Sequence, residues 1–426
     1  MEKIMTSLLE TDLYKFSMGQ AIFHQFPSFK TTWSFKCRNK DVKFTTEMVA
    51  EIKHQLSEYC KLRFTEDELE YLRNIGVKRN KNGNITKKGW IKDSYIDFLR
   101  IWHPRYEEFE ITDNAECGLS IEAKGTWLNT SMYEIPTLAI VNEVYFKYAY
   151  NYDELLAQFE TKLNAKVANL EQNIYELSSF SEFGLRRRLS AECQEMAVKK
   201  LKEAKIDSKS TFVGTSNVYL AKKHGLMPVG TMAHEWIMCV GQGNRAINPA
   251  YSNLYAMRAW VNEFKVQNGT VLTDTITTDC FLRDFDEEFA TVFSGVRHDS
   301  GDPFVWGDKM IEHYKNLGID PLTKTLLFSD SLNFEKATKL KRYFDGKAKV
   351  AFGIGPRPAT PELRPEPRAA GKGGGGGGGF LGGGGCDSLT GALEGRRRSF
   401  YGGIYLRQDG AAAIKKRKSE ERTRES

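Results

Sequence analysis

The sequence has 426 residues, of which 41% are hydrophobic and 27% are charged, a composition typical of a globular protein with a large core and room for about two domains. No run of eighteen apolar residues occurs and the start has no signal-peptide pattern, so we expect a cytoplasmic protein without membrane partners. The net charge is +6, and the seven cysteines include no Cys-x-x-Cys pair, which argues against a disulfide framework or a zinc ribbon.

Residues 1–130 are predicted to form an N-terminal α/β domain. Apolar residues at near-helical spacing indicate a helix over 6–26, and alternation over 31–37 indicates a strand. Thr65 with Glu68 three residues later forms a capping box, which predicts the start of another helix. The remaining predicted features are strands over 94–99 and 109–121 and a polar turn over 78–88.

Residues 131–355 alternate short strands, polar turns and amphipathic stretches, which predicts parallel β/α units. The candidate strands end at Phe183, Val213, Val229, Leu272, Val296, Phe328 and Phe352, after a first candidate over 135–140. Helices are predicted over 153–177, 191–204 and 334–344. About eight such units close a barrel, and their uneven spacing predicts an irregular one. The predicted fold class is therefore α/β, an irregular β/α barrel with a second, smaller mixed α/β domain.

The segment 356–426 differs abruptly in composition, with a Pro/Arg-rich beginning, glycine runs and basic clusters. It can bury little apolar surface and is predicted to be a disordered tail. It carries 14 Lys and Arg against 8 Asp and Glu, which leaves 47 residues of each sign in 1–355. The excess charge therefore lies in the tail, and no nucleic-acid partner is predicted for the fold. We interpret the tail as a basic extension or, preferably, as a foreign or frame-shifted end.

Residues at two of the strand ends are suited to binding an anionic ligand. The ring of Phe183 could stack on an aromatic ligand while Arg186 binds a carboxylate or phosphate. Ser216 lies in a Gly-Thr-Ser-Asn turn, and the helix start after it could meet an anion. Each pattern also has a structural explanation, namely a solvated basic helix start for the first and helix capping for the second.

His234 follows the strand that ends at Val229, beside Glu235 at the start of a predicted helix. The imidazole could act as a general base, accept a phosphoryl group or form a structural hydrogen bond, and the pattern leaves these roles open. An ordinary histidine pKa near 6.5 leaves one ring nitrogen unprotonated at neutral pH, as nucleophilic attack requires. Glu235 is interpreted as an acidic residue of the first helical turn.

The run over 295–303 combines an arginine, a histidine, two aspartates and two glycines. A ribose diol needs a carboxylate acceptor, and a departing pyrophosphate needs a cation or a metal ion. Arg297 together with Asp299 or Asp302 supplies these groups, although a turn stabilised by Asp and Gly would have a similar sequence. This run is the strongest indication that the chain acts on a phosphorylated, polyhydroxylated small molecule.

Further candidates lie just after other strands of the barrel. Asp274 and Asp330 each follow a strand, so several carboxylates are expected around one barrel mouth, where they could bind a diol and a metal. Gly353 and Gly355 form a Gly-x-Gly turn suited to backbone amides that hold a phosphate. The Gly-rich nucleotide-binding loops are missing from the sequence, so any use of ATP must come by another route.

Together these residues resemble the nicotinate phosphoribosyltransferases of the bacterial type, over about residues 8–355. The matching motifs, in the same order as in that family, are 11–15, 183–187, 214–217, 230–236, 295–303 and 328–332. The resemblance implies the type II phosphoribosyltransferase fold and an enzyme of the ligase or glycosyltransferase class. It joins nicotinate to phosphoribosyl pyrophosphate, with coupled ATP hydrolysis, and gives nicotinate mononucleotide and pyrophosphate for the salvage synthesis of NAD.

The resemblance also implies roles for individual residues. His234 would be catalytic and transiently phosphorylated, and Arg297 and Asp299 would be catalytic residues that hold the phosphoribosyl group. The implied substrate-binding residues are Tyr14, Phe183, Arg186, Ser216, Asp330, Gly353 and Gly355. Phe183 and Tyr14 would enclose the pyridine ring, with Tyr14 from a partner subunit, which implies a homodimer. Mg²⁺ would accompany the pyrophosphate, with its ligands unknown.

The sequence departs from the family after Gly355, where the family continues with a Thr-Asn-type phosphate loop. Pro356 removes a backbone donor at this point, which predicts weakened, unstable or absent activity for this chain. Three alternatives stay open: a phosphoribosyltransferase for quinolinate or nicotinamide, a catalytically silent phosphoribosyl-binding protein, and a nucleic-acid binder that uses the tail. The basic cluster over 183–188 favours an acid over an amide, and stimulation by ATP would exclude a quinolinate enzyme.

Overall fold

The computed structural model describes residues 1–355 except 36, 38–40, 114, 208 and 244–247, and contains fourteen α-helices and twelve strands. The predicted disordered tail, 356–426, lies outside the described residues. Within the described part, no helix is both long and apolar enough to cross a lipid bilayer.

The N-terminal part contains two small antiparallel sheets and four helices. Its elements are α1 (Leu13–Gln25), β1 (Lys30–Ser34), α2 (Thr46–Cys60), α3 (Glu66–Arg73), β2 (Lys78–Arg79), β3 (Ile85–Lys87), α4 (Asp93–Ile101), β4 (Phe109–Thr112) and β5 (Ser120–Thr126). The three-stranded sheet has the order β1-β5-β4, and β2 pairs with β3 in a hairpin. The predicted capping box is confirmed, because the Thr65 side chain accepts from the Glu68 amide and Glu68 accepts from the Thr65 amide.

The rest of the chain alternates strands and helices. Its elements are α5 (Trp127–Ala149), α6 (Tyr152–Glu171), β6 (Ser178–Glu182), α7 (Ala191–Glu203), β7 (Ser210–Thr215), α8 (Val218–His224), β8 (Met227–Pro228), α9 (His234–Gly243), α10 (Ser252–Phe264), β9 (Thr270–Leu272), α11 (Thr278–Asp284), α12 (Glu287–Val292), β10 (Gly295–His298), α13 (Pro303–Asn316), β11 (Thr325–Phe328), α14 (Phe334–Phe344) and β12 (Lys349–Ile354). The seven strands predicted at 183–352 are all present.

These seven strands form one parallel sheet with the order β8-β7-β6-β12-β11-β10-β9. The sheet is curled into a half-barrel, and in the described part of the chain its edge strands β8 and β9 do not pair with each other. The predicted fold class, an irregular β/α barrel with a smaller α/β part, is confirmed. Because all seven strands are parallel, their carboxyl ends lie along one edge, where barrels of this kind carry their sites.

Two predicted strands are wrong. The segment 94–99 lies in α4, where Tyr95, Ile96 and Leu99 are buried at helical spacing. The segment 135–140 lies in α5, although its β-branched residues (Ile135, Thr137 and Ile140) and Pro136 are unfavourable for a helix. Burial on several sides of α5 outweighs these local preferences. The predicted domain boundary between residues 130 and 131 falls inside this helix.

The N-terminal part and the half-barrel share one hydrophobic core. Buried residues of α1 and α5 belong to this core together with buried residues of the half-barrel helices. Three buried tryptophans mark the junction: the ring centroids of Trp127 and Trp236 are 5.7 Å apart, and those of Trp236 and Trp260 are 5.3 Å apart. Burial of side chains of this size contributes about 2–3 kcal/mol each. The junction therefore fixes α5 against the start of α9, which carries His234.

Candidate active site

Acidic side chains lie at the carboxyl ends of four strands of the half-barrel. Glu182 ends β6, Asp274 follows β9, Asp299 follows β10 and Asp330 follows β11. The parallel register of β9, β10 and β11 brings the last three carboxylates to the same edge of the sheet. His234 begins α9 after the edge strand β8.

The His234 imidazole lies between two carboxylates. Its Nε2 atom is 3.0 Å from Asp274 Oδ1, and its Nδ1 atom is 3.8 Å from Asp299 Oδ2. Burial alone would raise the pKa of Asp274, but the hydrogen bonds from His234 and the Ser300 hydroxyl lower it below its ordinary value. An ionised Asp274 accepts from Nε2–H, and in the neutral ring this tautomer leaves the lone pair on Nδ1.

Arg297 holds Asp299 in a fixed position. The guanidinium donates from Nε to Ser329 Oγ at 2.8 Å, from one Nη to the Met232 carbonyl at 3.2 Å and from the other to Asp299 Oδ1 at 3.4 Å. Ser329 Oγ also lies 2.9 Å from Asp299 Oδ1. Burial would raise the pKa of Asp299, but Arg297, His234 and Arg186 lower it to about 2. Asp299 is therefore an ionised, oriented acceptor at neutral pH.

Arg186 brings a second guanidinium to the same group of side chains. Its Nη1 atom is 3.6 Å from Glu134 Oε1, and about a third of its side chain is exposed. Burial would lower the pKa of Arg186, but Tyr14, Glu134 and Asp299 raise it above its ordinary value. A permanently charged, partly open guanidinium is suited to a carboxylate or phosphate ligand.

Tyr14 belongs to the same site within a single chain. The amide of Leu13, at the start of α1, donates to the Ser216 carbonyl at 2.9 Å, which docks α1 on the strand ends. A Cβ atom on Gly230 would lie 3.2 Å from the Tyr14 nitrogen, so the loop before His234 passes close to this helix start. Burial raises the pKa of Tyr14, while Arg186 lowers it. The supply of Tyr14 by a partner subunit and the homodimer both stay predictions.

Ser216 is predicted to bind substrate, but its hydroxyl has a partner inside the protein. The side chain is buried, and Oγ donates to Asp12 Oδ1 at 2.6 Å. Burial raises the pKa of Asp12, and this hydrogen bond offsets part of that effect. Ser216 therefore connects the end of β7 to Asp12, in the segment before α1. This contact helps to position Tyr14, which lies two residues after Asp12.

Phe183 packs against the glycines that were predicted to hold a phosphate. A Cβ atom on Gly353 would lie 2.6 Å from Phe183 Cδ2, and one on Gly355 would lie 3.3 Å from the Phe183 carbonyl oxygen. The Phe183 amide donates to the Ile354 carbonyl at 3.0 Å. Gly353 lies in β12 and makes room for the Phe183 ring. Any phosphate loop after Gly355 lies outside the described residues.

Glu182 fixes the turn that carries Phe183 and Arg186. Its Oε1 atom accepts from the Gly184 amide at 2.5 Å, and its Oε2 atom accepts from Thr215 at 2.6 Å and from Gln194 at 3.0 Å. Burial raises the pKa of Glu182 to about 7, against the opposing effect of these hydrogen bonds. The buried carboxyl therefore titrates near neutral pH.

The other predicted aspartates are placed differently. Asp302 caps α13 by accepting from the amides of Phe304 and Val305, which is the structural explanation that its sequence allowed. Asp330 accepts from Ser331 at 3.0 Å and has no direct contact with His234 or Asp299 in the described part of the chain. Among the described residues no three His, Cys, Asp or Glu side chains are grouped as a metal site.

Sequence reasoning missed a buried ionic cluster behind the site. Lys15 lies between Glu134 and Glu235, at 2.7 Å from a carboxylate oxygen of each. Lys15 belongs to the Thr-Asp-Leu-Tyr-Lys motif and Glu235 adjoins His234, so their positions carried a signal. No sequence pattern indicated a functional role for Glu134, because it lies in α5, part of which was predicted as a strand.

The chain matches two family models. Residues 9–142 match the N-terminal domain of the nicotinate phosphoribosyltransferase (NAPRTase) family, and residues 178–359 match the nicotinate phosphoribosyltransferase (NAPRTase) family itself. The two models thus cover the described N-terminal part and the half-barrel with its strand-end residues.

Curated relatives and solved structures agree with these matches. The nicotinate phosphoribosyltransferase of Ectopseudomonas mendocina is 43% identical over 361 residues, which cover 83% of this chain and 84% of that protein. Nicotinate phosphoribosyltransferase 1 of Pseudomonas aeruginosa is 41% identical over 362 residues, with 83% and 84% covered. The nicotinate phosphoribosyltransferase structure from Vibrio cholerae superposes with a TM-score of 0.73 at 35% identity and covers 83% of this chain and 80% of that one. The nicotinate phosphoribosyltransferase structure from Porphyromonas gingivalis superposes with a TM-score of 0.71 at 34% identity and covers 83% of this chain and 85% of that one. The chain therefore belongs to the nicotinate phosphoribosyltransferase family.

Proposed function

We propose that this chain is an enzyme that transfers the ribosyl phosphate of phosphoribosyl pyrophosphate to nicotinate. The products are nicotinate mononucleotide and pyrophosphate, which places the reaction in the salvage synthesis of NAD. The observation that carries the proposal is the cluster of His234, Asp299, Arg297 and Arg186 at the carboxyl edge of one parallel sheet. The family membership of the chain supports the same reaction.

Nicotinate binding depends on a cation and on aromatic surfaces. The partly exposed Arg186 guanidinium pairs with the substrate carboxylate, and Phe183 and Tyr14 border the pyridine ring. Because Arg186 is charged at all relevant pH values, it favours nicotinate over the neutral nicotinamide. In this arrangement the ring nitrogen faces the anomeric carbon, and orientation alone lowers the barrier by converting a bimolecular step into an intramolecular one.

The phosphoribosyl group is held by the strand ends of β10 and β11. The ionised Asp299, which Arg297 and Ser329 keep in place, accepts hydrogen bonds from ribose hydroxyls. The transition state resembles an oxocarbenium ion, so a fixed carboxylate and a guanidinium stabilise its opposite charges. The bond from the anomeric carbon to the pyrophosphate oxygen breaks as the bond to the ring nitrogen forms, and pyrophosphate leaves with the electron pair.

Mg²⁺ fits this site as an ion shared with substrate. Mg²⁺ in proteins often binds only one or two carboxylates together with substrate phosphates and keeps several waters. Asp330 and Asp299 offer such a donor set, and the described residues contain no larger cluster that would enclose a metal by themselves. When bound, the ion neutralises charge that develops on the departing pyrophosphate.

ATP takes part in the reaction by phosphorylating His234. The Nδ1 lone pair attacks the γ-phosphorus of ATP, the bond from phosphorus to the β–γ bridging oxygen breaks, and ADP leaves with that electron pair. Asp274 accepts from Nε2–H and stabilises the positive charge that the ring acquires. The phosphohistidine is later hydrolysed by water, which restores the imidazole and releases inorganic phosphate. This role makes the chain an ATP-dependent transferase and a transient phosphoprotein.

The assembly, location and strength of this activity are further parts of the proposal. The enzyme is cytoplasmic and forms a homodimer, and its small-molecule partners are nicotinate, phosphoribosyl pyrophosphate and ATP. Activity is weaker than in relatives because residues after Gly355 replace the family's phosphate loop. The location and the homodimer depend on the family resemblance of the motifs over 11–332, and the weaker activity depends on the departure from the family after Gly355.

The test is a product assay on the purified full-length chain. The protein is incubated with phosphoribosyl pyrophosphate and Mg²⁺ and with nicotinate, nicotinamide or quinolinate, each with and without ATP, and mononucleotide and pyrophosphate are quantified. We expect nicotinate mononucleotide to be the main product and ATP to stimulate its formation. Preference for nicotinamide or quinolinate would support the alternative substrates, and binding of phosphoribosyl pyrophosphate without release of pyrophosphate would indicate a catalytically silent protein.

A further inference from the structure

We infer that the buried ionic cluster of Lys15, Glu134 and Glu235 is a positioning element that aims Arg186 at the substrate carboxylate and so sets the preference for nicotinate over nicotinamide. This inference rests on the proposed function. None of the three residues is a catalytic residue, because each acts through a neighbour that faces the substrate.

The cluster is compact and excluded from water. Lys15 Nζ lies 2.7 Å from Glu134 Oε2 and 2.7 Å from Glu235 Oε2, and the three side chains are at most 4% exposed. Trp127 Nε1 donates to the second oxygen of Glu235 at 2.7 Å. Each of these polar atoms therefore has a short, directional partner inside the protein.

Lys15 and Glu134 are both charged. Burial would lower the pKa of Lys15, but the two adjacent carboxylates raise it above its ordinary value. Burial would raise the pKa of Glu134, but Lys15 and Arg186 lower it. With Arg186 included, two cations face two carboxylates, so the buried charges balance.

Glu134 is the link between the cluster and the substrate. Its Oε2 atom binds Lys15, which leaves Oε1 to face Arg186 Nη1 at 3.6 Å. Glu134 is almost fully buried, whereas about a third of the Arg186 side chain is exposed. The buried carboxylate therefore holds one edge of the guanidinium from behind and leaves the rest of it for a ligand.

The cluster also joins three helices that border the site. Lys15 follows Tyr14 on α1, Glu134 lies on α5, and Glu235 follows His234 on α9. A buried ion pair stabilises little by itself, because desolvation cancels most of its attraction, and its best-attested use is to fix one arrangement among several. Here the arrangement that it fixes is the position of Arg186 relative to Tyr14 and His234.

The expected effect is specific to substrates with a carboxylate. Nicotinate depends on an oriented guanidinium, whereas nicotinamide carries no charge and gains little from it. Loss of the Glu134 charge should therefore weaken the binding of nicotinate and leave the binding of nicotinamide and phosphoribosyl pyrophosphate nearly unchanged. If Glu134 acted mainly by repelling the anionic substrate, its neutralisation would instead strengthen nicotinate binding.

The test compares Glu134→Gln with Glu143→Gln in the full-length protein. Glu143 is a matched control, because it is equally buried on the same helix and pairs with a lysine and an arginine, Lys147 and Arg188, rather than with Lys15 and Arg186. Dissociation constants for nicotinate and nicotinamide are measured by equilibrium dialysis, and KM for phosphoribosyl pyrophosphate and kcat by product formation. We expect about a tenfold weaker nicotinate binding in Glu134→Gln only.

The outcomes distinguish failure of the positioning role from failure of the proposed function. Equal effects of Glu134→Gln and Glu143→Gln, or tighter nicotinate binding in Glu134→Gln, would overturn the inference. Failure of the wild-type chain to form any mononucleotide would instead overturn the proposed function. If Glu134→Gln does not fold, Glu134→Asp preserves the buried charge balance and withdraws the carboxylate from Arg186, so a selective loss of nicotinate binding is still expected and its absence contradicts the inference.

Discussion

His234 Nε2 and Asp274 Oδ1 are 3.0 Å apart, although the two residues lie in different β/α units of the half-barrel. This hydrogen bond selects the tautomer in which Nδ1 carries the lone pair, and Nδ1 in turn lies 3.8 Å from Asp299. The same imidazole is therefore oriented by one carboxylate and borders the residue expected to bind ribose. This arrangement would connect the proposed phosphorylation of His234 to the proposed transfer site.

The first prediction concerns Asp274. In Asp274→Asn the amide cannot stabilise the charged ring, so phosphorylation of His234 should slow on the order of 10²-fold. The measurement is transfer of labelled phosphate from γ-labelled ATP into an acid-labile, base-stable adduct. Asp302→Asn is the matched control, since Asn caps the start of α13 as well as Asp does. Wild-type labelling of Asp274→Asn would contradict this role.

The second prediction concerns Gly353. An alanine Cβ would lie 2.6 Å from the Phe183 ring, so Gly353→Ala must displace the ring and should raise KM for nicotinate about tenfold, with a loss of stability of about 1–3 kcal/mol. Gly355→Ala places its Cβ 3.3 Å from the Phe183 carbonyl and should have a smaller effect. Steady-state kinetics and thermal melting of both variants provide the comparison. Equal KM values for the two would show that the ring position is unimportant.

The third prediction concerns pH and Glu182. Its pKa of about 7 exceeds the ordinary value of 4.5, so the folded state binds this proton more tightly than the unfolded state. The stabilisation that results is complete below pH 4.5 and is lost as the pH rises to about 7, by roughly 3 kcal/mol. Glu182→Gln should remove this part of the pH dependence of the free energy of unfolding.

Chemical denaturation between pH 5 and 8 measures the difference between wild type and Glu182→Gln. Glu312→Gln, on the exposed surface of α13, serves as the control for a change in net charge. A constant difference in unfolding free energy across this range would contradict a buried carboxyl that titrates near neutral pH.

The fourth prediction concerns residues 356–426. When this segment is replaced by the corresponding segment of the Ectopseudomonas mendocina relative, the rate of mononucleotide formation should rise, because the family's phosphate loop is restored after Gly355. A variant that ends at Gly355 separates this gain from simple removal of the basic tail. An unchanged rate in the replaced chain would argue against a frame-shifted end.

Much of the fold could be predicted from the sequence, because each β/α unit has a local signal. The strand ends after Leu272, Val296 and Phe328 follow short apolar runs, and their polar residues lie where parallel strands place a site. The segment 135–140 was misassigned, because a helix buried on several sides has no polar face to reveal its period.

The ionic cluster could not be predicted for a different reason. Lys15 and Glu235 are 220 residues apart, and no pattern along the chain indicates that they meet. Ser216 shows the same limit: its motif suggested a ligand, whereas its hydroxyl donates to Asp12 across 204 residues. Long-range polar contacts of this kind depend on the assembled fold and not on local spacing.

The central claim is that the strand-end cluster around Asp299 performs the transfer, and single-turnover formation of labelled nicotinate mononucleotide tests it most directly. Wild-type protein should form the mononucleotide and pyrophosphate in equal amounts. Asp299→Asn, which keeps the shape but not the charge of a group with a pKa of about 2, should react roughly 10²–10³-fold more slowly, and a lower melting temperature is expected because Arg297 loses its ion-pair partner. Transfer by Asp299→Asn at the wild-type rate would contradict the assignment of this site.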